Sequence, residues 1–138
     1  GPERLKALMQ LPLAAIDFGA HGGTNFSKLE MYRSDKMHHE AYDKIAAWGH
    51  SAEEMVGFYN DITTQLGNKN SKSDVIISGG VRDFMDGYYH TSRISANAVY
   101  GQASAFLKHS RGSYDELAEY VSLQIEGLKL ASKFLRLR

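Results

Sequence analysis

The sequence predicts an α/β fold in which short parallel strands alternate with helices. Three apolar runs each lead directly into glycine: Leu11–Phe18, Asp74–Ser78 and Ala96–Tyr100. Amphipathic segments with helical spacing lie between and after these runs. Strands separated by helices are typical of βαβ units and of a parallel sheet.

The first strand is predicted between a short helix and a long connection. Glu3–Gln10 has the apolar spacing of a helix. The compact run Leu11–Phe18 and its glycine exit favour a strand that is buried on both sides, as in a parallel sheet. Thr24–His39 mixes aromatic and charged residues and is predicted to be a loop with a helical turn. Ala41–Trp48 is predicted to form a short helix that Gly49 stops.

The clearest helix of the sequence begins after Ser51. Glu54 stands three positions later, which is the capping-box pattern, and Gly67 ends the apolar helical spacing. The β-branched run Asp74–Ser78 then predicts the second strand.

The last part of the chain is predicted to hold one more strand and three helical segments. A helix is predicted over Asp83–Ile94, a strand over Ala96–Tyr100, and a helical segment over Ala103–His109. Ser113–Arg138 is predicted to be a long helix capped by Ser113. Its expected apolar stripe consists of Leu117, Tyr120, Val121, Leu123, Ile125, Leu128 and Phe134.

Composition excludes several classes of protein. Sixteen basic residues balance sixteen acidic ones in 138 residues, so no net charge favours nucleic acid or an acidic membrane. Cysteine is absent, which excludes disulfides and thiolate metal sites and makes a cytoplasmic location the default expectation. No apolar run approaches the roughly 20 residues of a membrane span.

Three strands are too few to close a barrel, which takes eight strands and typically about 250 residues. Alone they would leave two open edges on a strongly apolar sheet. We therefore expect residues 1–138 to be one partial domain whose edges are covered by further chain or by a second copy.

Two strand exits have the composition of a phosphate site. Paired glycines in Ser78–Asp83 let the backbone approach an anion, and the following helix offers its N-terminus. Gly101–Ser104 follows the next strand and precedes an extra helical segment. In (β/α)₈ barrels the loops after the last two strands commonly form a phosphate site with such a helix. The alternative for each glycine pair is a simple tight turn.

A third glycine-rich exit carries polar side chains. Asp17–Phe26 brings three glycines, a hydroxyl, an amide and a histidine to the end of the first strand. Thr24 and Asn25 can hydrogen-bond a planar heterocycle or a diphosphate, and His21 can donate to an anion. The alternative is a glycine-rich loop whose polar groups satisfy one another.

These motifs resemble the type 2 isopentenyl-diphosphate isomerases. His21–Phe26, followed by Leu29-Glu30, is similar to that family's Gly-Gly-Thr motif. Further similar elements follow in the same order: Trp48-Gly49, Ile77–Arg82, Asp86 and Ala105–Leu107. The resemblance covers nearly the whole chain and implies the C-terminal part of a TIM (β/α)₈ barrel, namely about its last three strands with their helices.

The resemblance also implies a chemistry and a set of binding residues. The family interconverts isopentenyl and dimethylallyl diphosphate with reduced FMN, Mg²⁺ and NAD(P)H. By motif, Thr24 would contact the flavin, and its phosphate would lie at Gly79, Gly80, Arg82, Ala103 and Ser104. His21 and Asn25 are the candidates for contact with the diphosphate substrate. The expected partners are this small molecule and the rest of the barrel or a homo-oligomer, with neither nucleic acid nor membrane.

Two departures from the family keep other functions open. The family's flavin-contacting lysine and its Gln and metal-binding Glu lie on earlier strands, so this segment alone is expected to contain no catalytic residue and to be inactive. The segment Tyr88–Arg93 is bulkier and more polar than the family's helix. The alternatives are another FMN barrel of the 2-hydroxy-acid oxidase or dehydrogenase type, with His21 and Arg82 near the flavin, and a non-catalytic flavin- or phosphate-binding module.

Other chemistry-bearing residues are weaker candidates. His38, His39 and Glu40 lack a third metal ligand at a sensible spacing. Ser78 has no histidine or aspartate partner visible in the sequence that would activate it. The aromatic residues Tyr88, Tyr89 and Tyr100 are expected to pack in the core or at a subunit contact rather than to stack on a ligand.

Overall fold

The computed structural model describes residues 1–23, 25 and 48–136, and within them strands and helices alternate as predicted. The strands are β1 (Ala15–Asp17), β2 (Asp74–Ile77) and β3 (Ala98–Tyr100). The helices are α1 (Pro2–Leu8), α2 (Ala52–Leu66), α3 (Phe84–Arg93), α4 (Ser104–Ser110) and α5 (Tyr114–Phe134). A single 3₁₀ turn, Gly67–Lys69, follows α2. Apart from Asn25 and Trp48, the predicted loop Thr24–His39 and the predicted helix Ala41–Trp48 lie outside the described residues.

The three strands form one parallel sheet in the order β1-β2-β3. Ile16 pairs with Val75, and Val75 pairs with Ala98, so these side chains share one face of the sheet. The parallel α/β class predicted from the sequence is therefore confirmed. A barrel is not formed by these three strands, and the closed barrel stays a prediction.

All the core helices pack on one face of this sheet. Val75 and Ile77 are completely buried there, beneath Leu5 and Met9 from the first helical segment and beneath Val56, Tyr59 and Ile62 of α2. Helix α3 covers the β3 side of the same face, where Gly87 lies against the ring of Tyr100.

The opposite face of the sheet is open in the described part of the chain. Ala15, Asp17 and Asp74 are exposed, and Val99 is 62% exposed. The prediction that the first strand is buried on both sides is therefore wrong for these residues, because the helices cover only the face that carries Ile16. Apolar side chains on the open face, such as Ile76 and Val99, are what a barrel interior would require.

Caps define the helix boundaries as the sequence predicts. The Ser51 side chain accepts a hydrogen bond from Glu54 N at 3.2 Å, and the Ser51 N–H donates one to Glu54 Oε2 at 2.8 Å, which completes the capping box. The hydrogen bonds that the Ser51 N–H and the Ser51 hydroxyl donate to the Glu54 carboxylate lower the pKa of Glu54. Gly67 ends α2 with a positive φ of 53°. Asp83 caps α3 and Ser113 caps α5.

The predicted stripe of α5 matches its packing face only in part, because Leu117, Tyr120, Val121 and Leu128 are half-buried but the other members are exposed. Leu123, Ile125 and Phe134 are between 50% and 66% exposed. The buried positions are Gly127 and Ala131. Small residues let α5 approach α3 closely, and a β-carbon on Gly127 would lie 2.4 Å from the ring of Phe84.

The bulky segment Tyr88–Arg93 ties α3 to its neighbours. Tyr88 Oη donates to the Leu135 carbonyl at 3.0 Å, and Tyr89 Oη donates to Glu53 of α2 at 3.2 Å. Arg93 forms a 2.9 Å ion pair with the same glutamate. The aromatic residues of this segment therefore pack within the chain, as expected. Of the helices in residues 1–23 and 48–136, none has the length and apolarity that a bilayer span requires.

Candidate functional site

A cleft of about 700 Å³ opens at the carboxyl ends of the three strands. Each strand contributes its exit loop, so the glycine-rich segments separated in sequence meet at one place. The described residues that line the cleft are Asp17, Gly19, Ala20, Gly22, Gly23, Ser78, Gly79, Gly80, Val81, Gly101, Gln102, Ala103, Ser104 and Leu107. Four predicted phosphate-site residues, Gly79, Gly80, Ala103 and Ser104, are therefore brought together.

The glycines of the first two exit loops pack backbone against backbone. A β-carbon on Gly22 would lie 2.8 Å from the Gly80 α-carbon, and one on Gly80 would lie 2.8 Å from the His21 carbonyl oxygen. Gly22 and Gly80 also have positive φ angles of 99° and 76°. The glycine pairs thus serve a contact between loops, which sequence reasoning had weighed only as a turn or a phosphate contact.

Asp17 and Ser78 form a polar pair on the floor of the cleft. Ser78 Oγ donates to Asp17 Oδ1. The Gly19 N–H donates to the same carboxylate oxygen at 3.0 Å and lies 3.2 Å from Ser78 Oγ. The sequence prediction missed this pair. The feature that could have revealed the pair is the register of β1 against β2. These strands run parallel, and Asp17 pairs with Ile76, two residues before Ser78.

Helix α4 begins at the cleft without a side-chain cap. Its N-cap is Ala103, which has no polar side chain, whereas Ser51, Asp83 and Ser113 cap the longer helices α2, α3 and α5. The first N–H groups of a helix need acceptors from side chains, water or a ligand. Because Ala103 and Ser104 line the cleft, an anion there would supply such acceptors.

The Arg82 side chain points to Asp86 and is not among the described residues that line the cleft. Its Nε lies 2.8 Å from Asp86 Oδ2 and its Nη2 lies 3.0 Å from Oδ1, while the guanidinium is 82% exposed. The hydrogen bonds from Arg82 lower the pKa of Asp86. Arg82 thus lies just after the Gly79-Gly80 loop with its side chain held by Asp86, and a role at the phosphate stays a prediction.

The predicted substrate residues lie at the rim of the first exit loop. His21 is exposed, and its backbone N–H donates to the His50 carbonyl at 2.8 Å. Asn25 is half-buried. Neither is among the cleft-lining residues of the described chain. Thr24, His38, His39 and Glu40 lie outside the described residues.

Gln102 lines the cleft and joins the β2 exit loop to α5, and sequence reasoning gave it no role. Its Nε2 donates to the Arg82 carbonyl at 2.5 Å and to Tyr120 Oη at 2.7 Å. A glutamine in a loop carries no pattern that predicts such partners, because both lie 18 or more residues away. Only the fold reveals it.

Three parallel strands with a glycine-lined cleft at their carboxyl ends make this an α/β segment of the class in which ligands commonly bind at the strand ends. No family model matches the chain. It is 34% identical over 123 residues to an isopentenyl-diphosphate delta-isomerase of Bacillus licheniformis, covering 88% of this chain and 32% of that protein. It is 27% identical over 126 residues to the isopentenyl-diphosphate delta-isomerase of Rickettsia africae, covering 91% of this chain and 34% of that protein.

The chain is thus homologous, over about 90% of its length, to isopentenyl-diphosphate delta-isomerases. The resemblance inferred from the glycine motifs is confirmed at this level. The chain spans about one third of the length of the curated relatives it matches.

Proposed function

We propose that this chain supplies the FMN phosphate site of a type 2 isopentenyl-diphosphate delta-isomerase. The observation that carries the proposal is that the Gly79-Gly80 exit, the Gly101–Ala103 exit and the uncapped start of α4 all line one cleft. Such a set of backbone N–H groups suits a phosphate monoester. The homology to isopentenyl-diphosphate delta-isomerases supports the choice of reaction.

The donor set of the cleft fits FMN. Gly79 and Gly80 have no side chains, so a phosphate can approach their backbone N–H groups closely. Ser104 adds a hydroxyl to the N–H groups at the start of α4. Thr24 would contact the flavin ring by the family motif. Bound FMN would supply, in its reduced form, the acid/base group that moves a proton on the substrate. The residues of this chain bind and orient it.

Substrate contact, metal binding and reduction of the flavin are assigned to other residues than those of the cleft. His21 and Asn25 are proposed to face the diphosphate substrate. Among the described residues, no group of three His, Asp or Glu side chains could hold a metal ion. As the resemblance implies, we propose that the Mg²⁺ ligands and the NAD(P)H-dependent priming of the flavin belong to parts of the protein beyond this segment.

The open face of the sheet supports the barrel as the context for this site. Ile76 and the 62% exposed Val99 lie on the face opposite the helices, and β1 and β3 have unpaired edges within the described sheet. We propose that further strands of a (β/α)₈ barrel cover this face and both edges, either from the same chain or by association.

Flavin binding tests the proposed function directly. The protein at its native length is purified, and its intact mass and visible absorption are measured. It is then titrated with FMN and with riboflavin, which lacks the phosphate. We expect bound flavin and a clear preference for FMN. Ala103→Asp places a carboxylate where the phosphate would lie, so FMN affinity should fall at least about tenfold while riboflavin affinity is retained.

The matched control is Ala14→Asp, which makes the same change at an exposed residue before β1, at the opposite end of the sheet. It should leave both affinities unchanged. A protein that binds FMN no better than riboflavin would contradict the phosphate site. A flavoprotein that fails to interconvert the two diphosphates under reducing conditions with Mg²⁺ would contradict the reaction.

A further inference from the structure

We propose that Gln102 and Tyr120 form a bridge that holds the two phosphate-binding loops and helix α4 at a fixed spacing. Gln102 lies between β3 and α4 and lines the cleft. Its side-chain amide nitrogen has two N–H groups, and the structure gives each of them a partner. One is the Arg82 carbonyl of the β2 exit loop, at 2.5 Å, and the other is the hydroxyl of Tyr120, at 2.7 Å.

Tyr120 is held in place by the helix that precedes its own. The His109 ring stacks on the Tyr120 ring with centroids 4.2 Å apart, and the Phe106 ring meets it edge-on at 5.3 Å. Both rings belong to α4, whereas Tyr120 belongs to α5. His109 is oriented in turn by Glu116, 3.0 Å from its Nδ1. The position of the Tyr120 hydroxyl therefore depends on the position of α4. The Gln102 amide, which donates to that hydroxyl, is positioned by α4 in turn.

The Gln102–Tyr120 bridge thus connects every part of the proposed phosphate site. The β2 exit loop is tied through the Arg82 carbonyl, the β3 exit loop through Gln102 itself, and α4 through Phe106 and His109. A small anion held by N–H groups from separate loops requires those loops at the correct spacing before it binds. Gln102 and Tyr120 are therefore positioning residues, acting on the ligand through the backbone.

The structural part of this inference is independent of the ligand, and its effect on affinity rests on the proposed FMN site. Two measurements keep them apart. Amide hydrogen exchange of residues 79–82 and 104–107 in the ligand-free, native-length protein tests the bridge. The ratio of the FMN affinity to the riboflavin affinity tests the effect of the bridge on phosphate binding, since a general loss of structure would weaken the binding of both flavins equally.

Gln102→Met keeps the side-chain length but removes both donors, and Tyr120→Phe removes one partner while keeping the stacked ring. We expect faster exchange at the two segments in Gln102→Met. Its FMN affinity should fall about threefold to tenfold for each hydrogen bond lost, with riboflavin affinity unchanged. Tyr120→Phe should show a smaller loss, because the bond to the Arg82 carbonyl remains.

Gln65→Met is the matched control, because Gln65 is exposed near the end of α2, where its side-chain oxygen accepts a hydrogen bond from Lys6. It should change neither exchange nor affinity. Unchanged exchange in Gln102→Met overturns the bridge, and an equal loss of FMN and riboflavin overturns its role at the phosphate. If the parent protein binds neither flavin, the proposed function fails, and exchange alone decides whether the bridge exists.

Discussion

Gly79 packs so closely on Ala20 that a β-carbon at position 79 would lie 1.9 Å from the Ala20 carbonyl oxygen. The two exit loops are also joined by a 2.8 Å hydrogen bond from Ala20 N to the Ser78 carbonyl. Gly79 has a φ of 86°, which L side chains rarely adopt. Gly79 is therefore required for the contact between the two loops, independently of any ligand.

Gly79→Ala should consequently destabilise the protein as well as the cleft. The backbone conformation alone costs about 1–3 kcal/mol for a residue with a β-carbon. The collision with rigid backbone at Ala20 adds to this cost, because neither partner is the flexible end of a side chain. Urea unfolding followed by circular dichroism measures the free energy of unfolding.

Gly57→Ala is the matched control, since a β-carbon on Gly57 of α2 would meet nothing within 4 Å. Alanine is the better helix former, so this variant should gain about 0.5–1 kcal/mol. Opposite signs for the two substitutions are the expected result. A Gly79→Ala variant as stable as the parent would contradict the close contact between the loops.

His90 on α3 predicts a loss of stability in mild acid. Its Nδ1 is buried without a hydrogen-bond partner in the described structure, and burial lowers the pKa of His90. The carboxylates of Asp86 and Glu53 act against this shift, and Arg93 adds to it. An unfolded chain therefore takes up the proton at higher pH than the folded one, near pH 6.5. Stability should fall as the pH drops from 7 through that value toward the folded pKa.

The test measures thermal unfolding between pH 5 and pH 7.5. His90→Leu removes both the titration and the unpaired nitrogen, so it should flatten the decline below pH 6.5 without lowering stability at neutral pH. His21→Leu, at an exposed position in the first exit loop, should keep the decline because His90 remains. An unaltered slope in His90→Leu would show that another group is responsible.

Local signals in the sequence were sufficient to predict the strands and helices that lie in the described residues. Ser51 with Glu54, and Gly67 at the end of α2, fix helix boundaries through neighbouring residues, and these predictions are confirmed. The strands were placed correctly but overextended, because β1 has only Ala15–Asp17 in the ladder. Apolar spacing extends beyond the residues that pair, so periodicity alone does not give the limits of a short strand.

The position of the cleft was predictable from the sequence, but its internal contacts were not. Loops that follow parallel strands meet at one edge of the sheet, which is why Gly79, Gly80, Ala103 and Ser104 line one cleft. The Arg82–Asp86 ion pair and the Gln102 bridge depend on side-chain directions that spacing does not fix. The resemblance named Arg82 for the phosphate, whereas its side chain is held by Asp86.

The α3–α5 contact shows how a small residue can control packing, and it yields a prediction about Gly127. A β-carbon there would lie 2.4 Å from the Phe84 ring, so Gly127→Ala should cost about 1–3 kcal/mol by overpacking. Phe84→Leu makes room, and the double variant should recover part of that loss. Urea unfolding of the four proteins gives a double-mutant cycle, and a coupling energy of about 0.5 kcal/mol or more is expected for this contact. If the losses of unfolding free energy in the two single variants simply add, Gly127 does not face Phe84. The predicted apolar stripe would then be the packing face of α5.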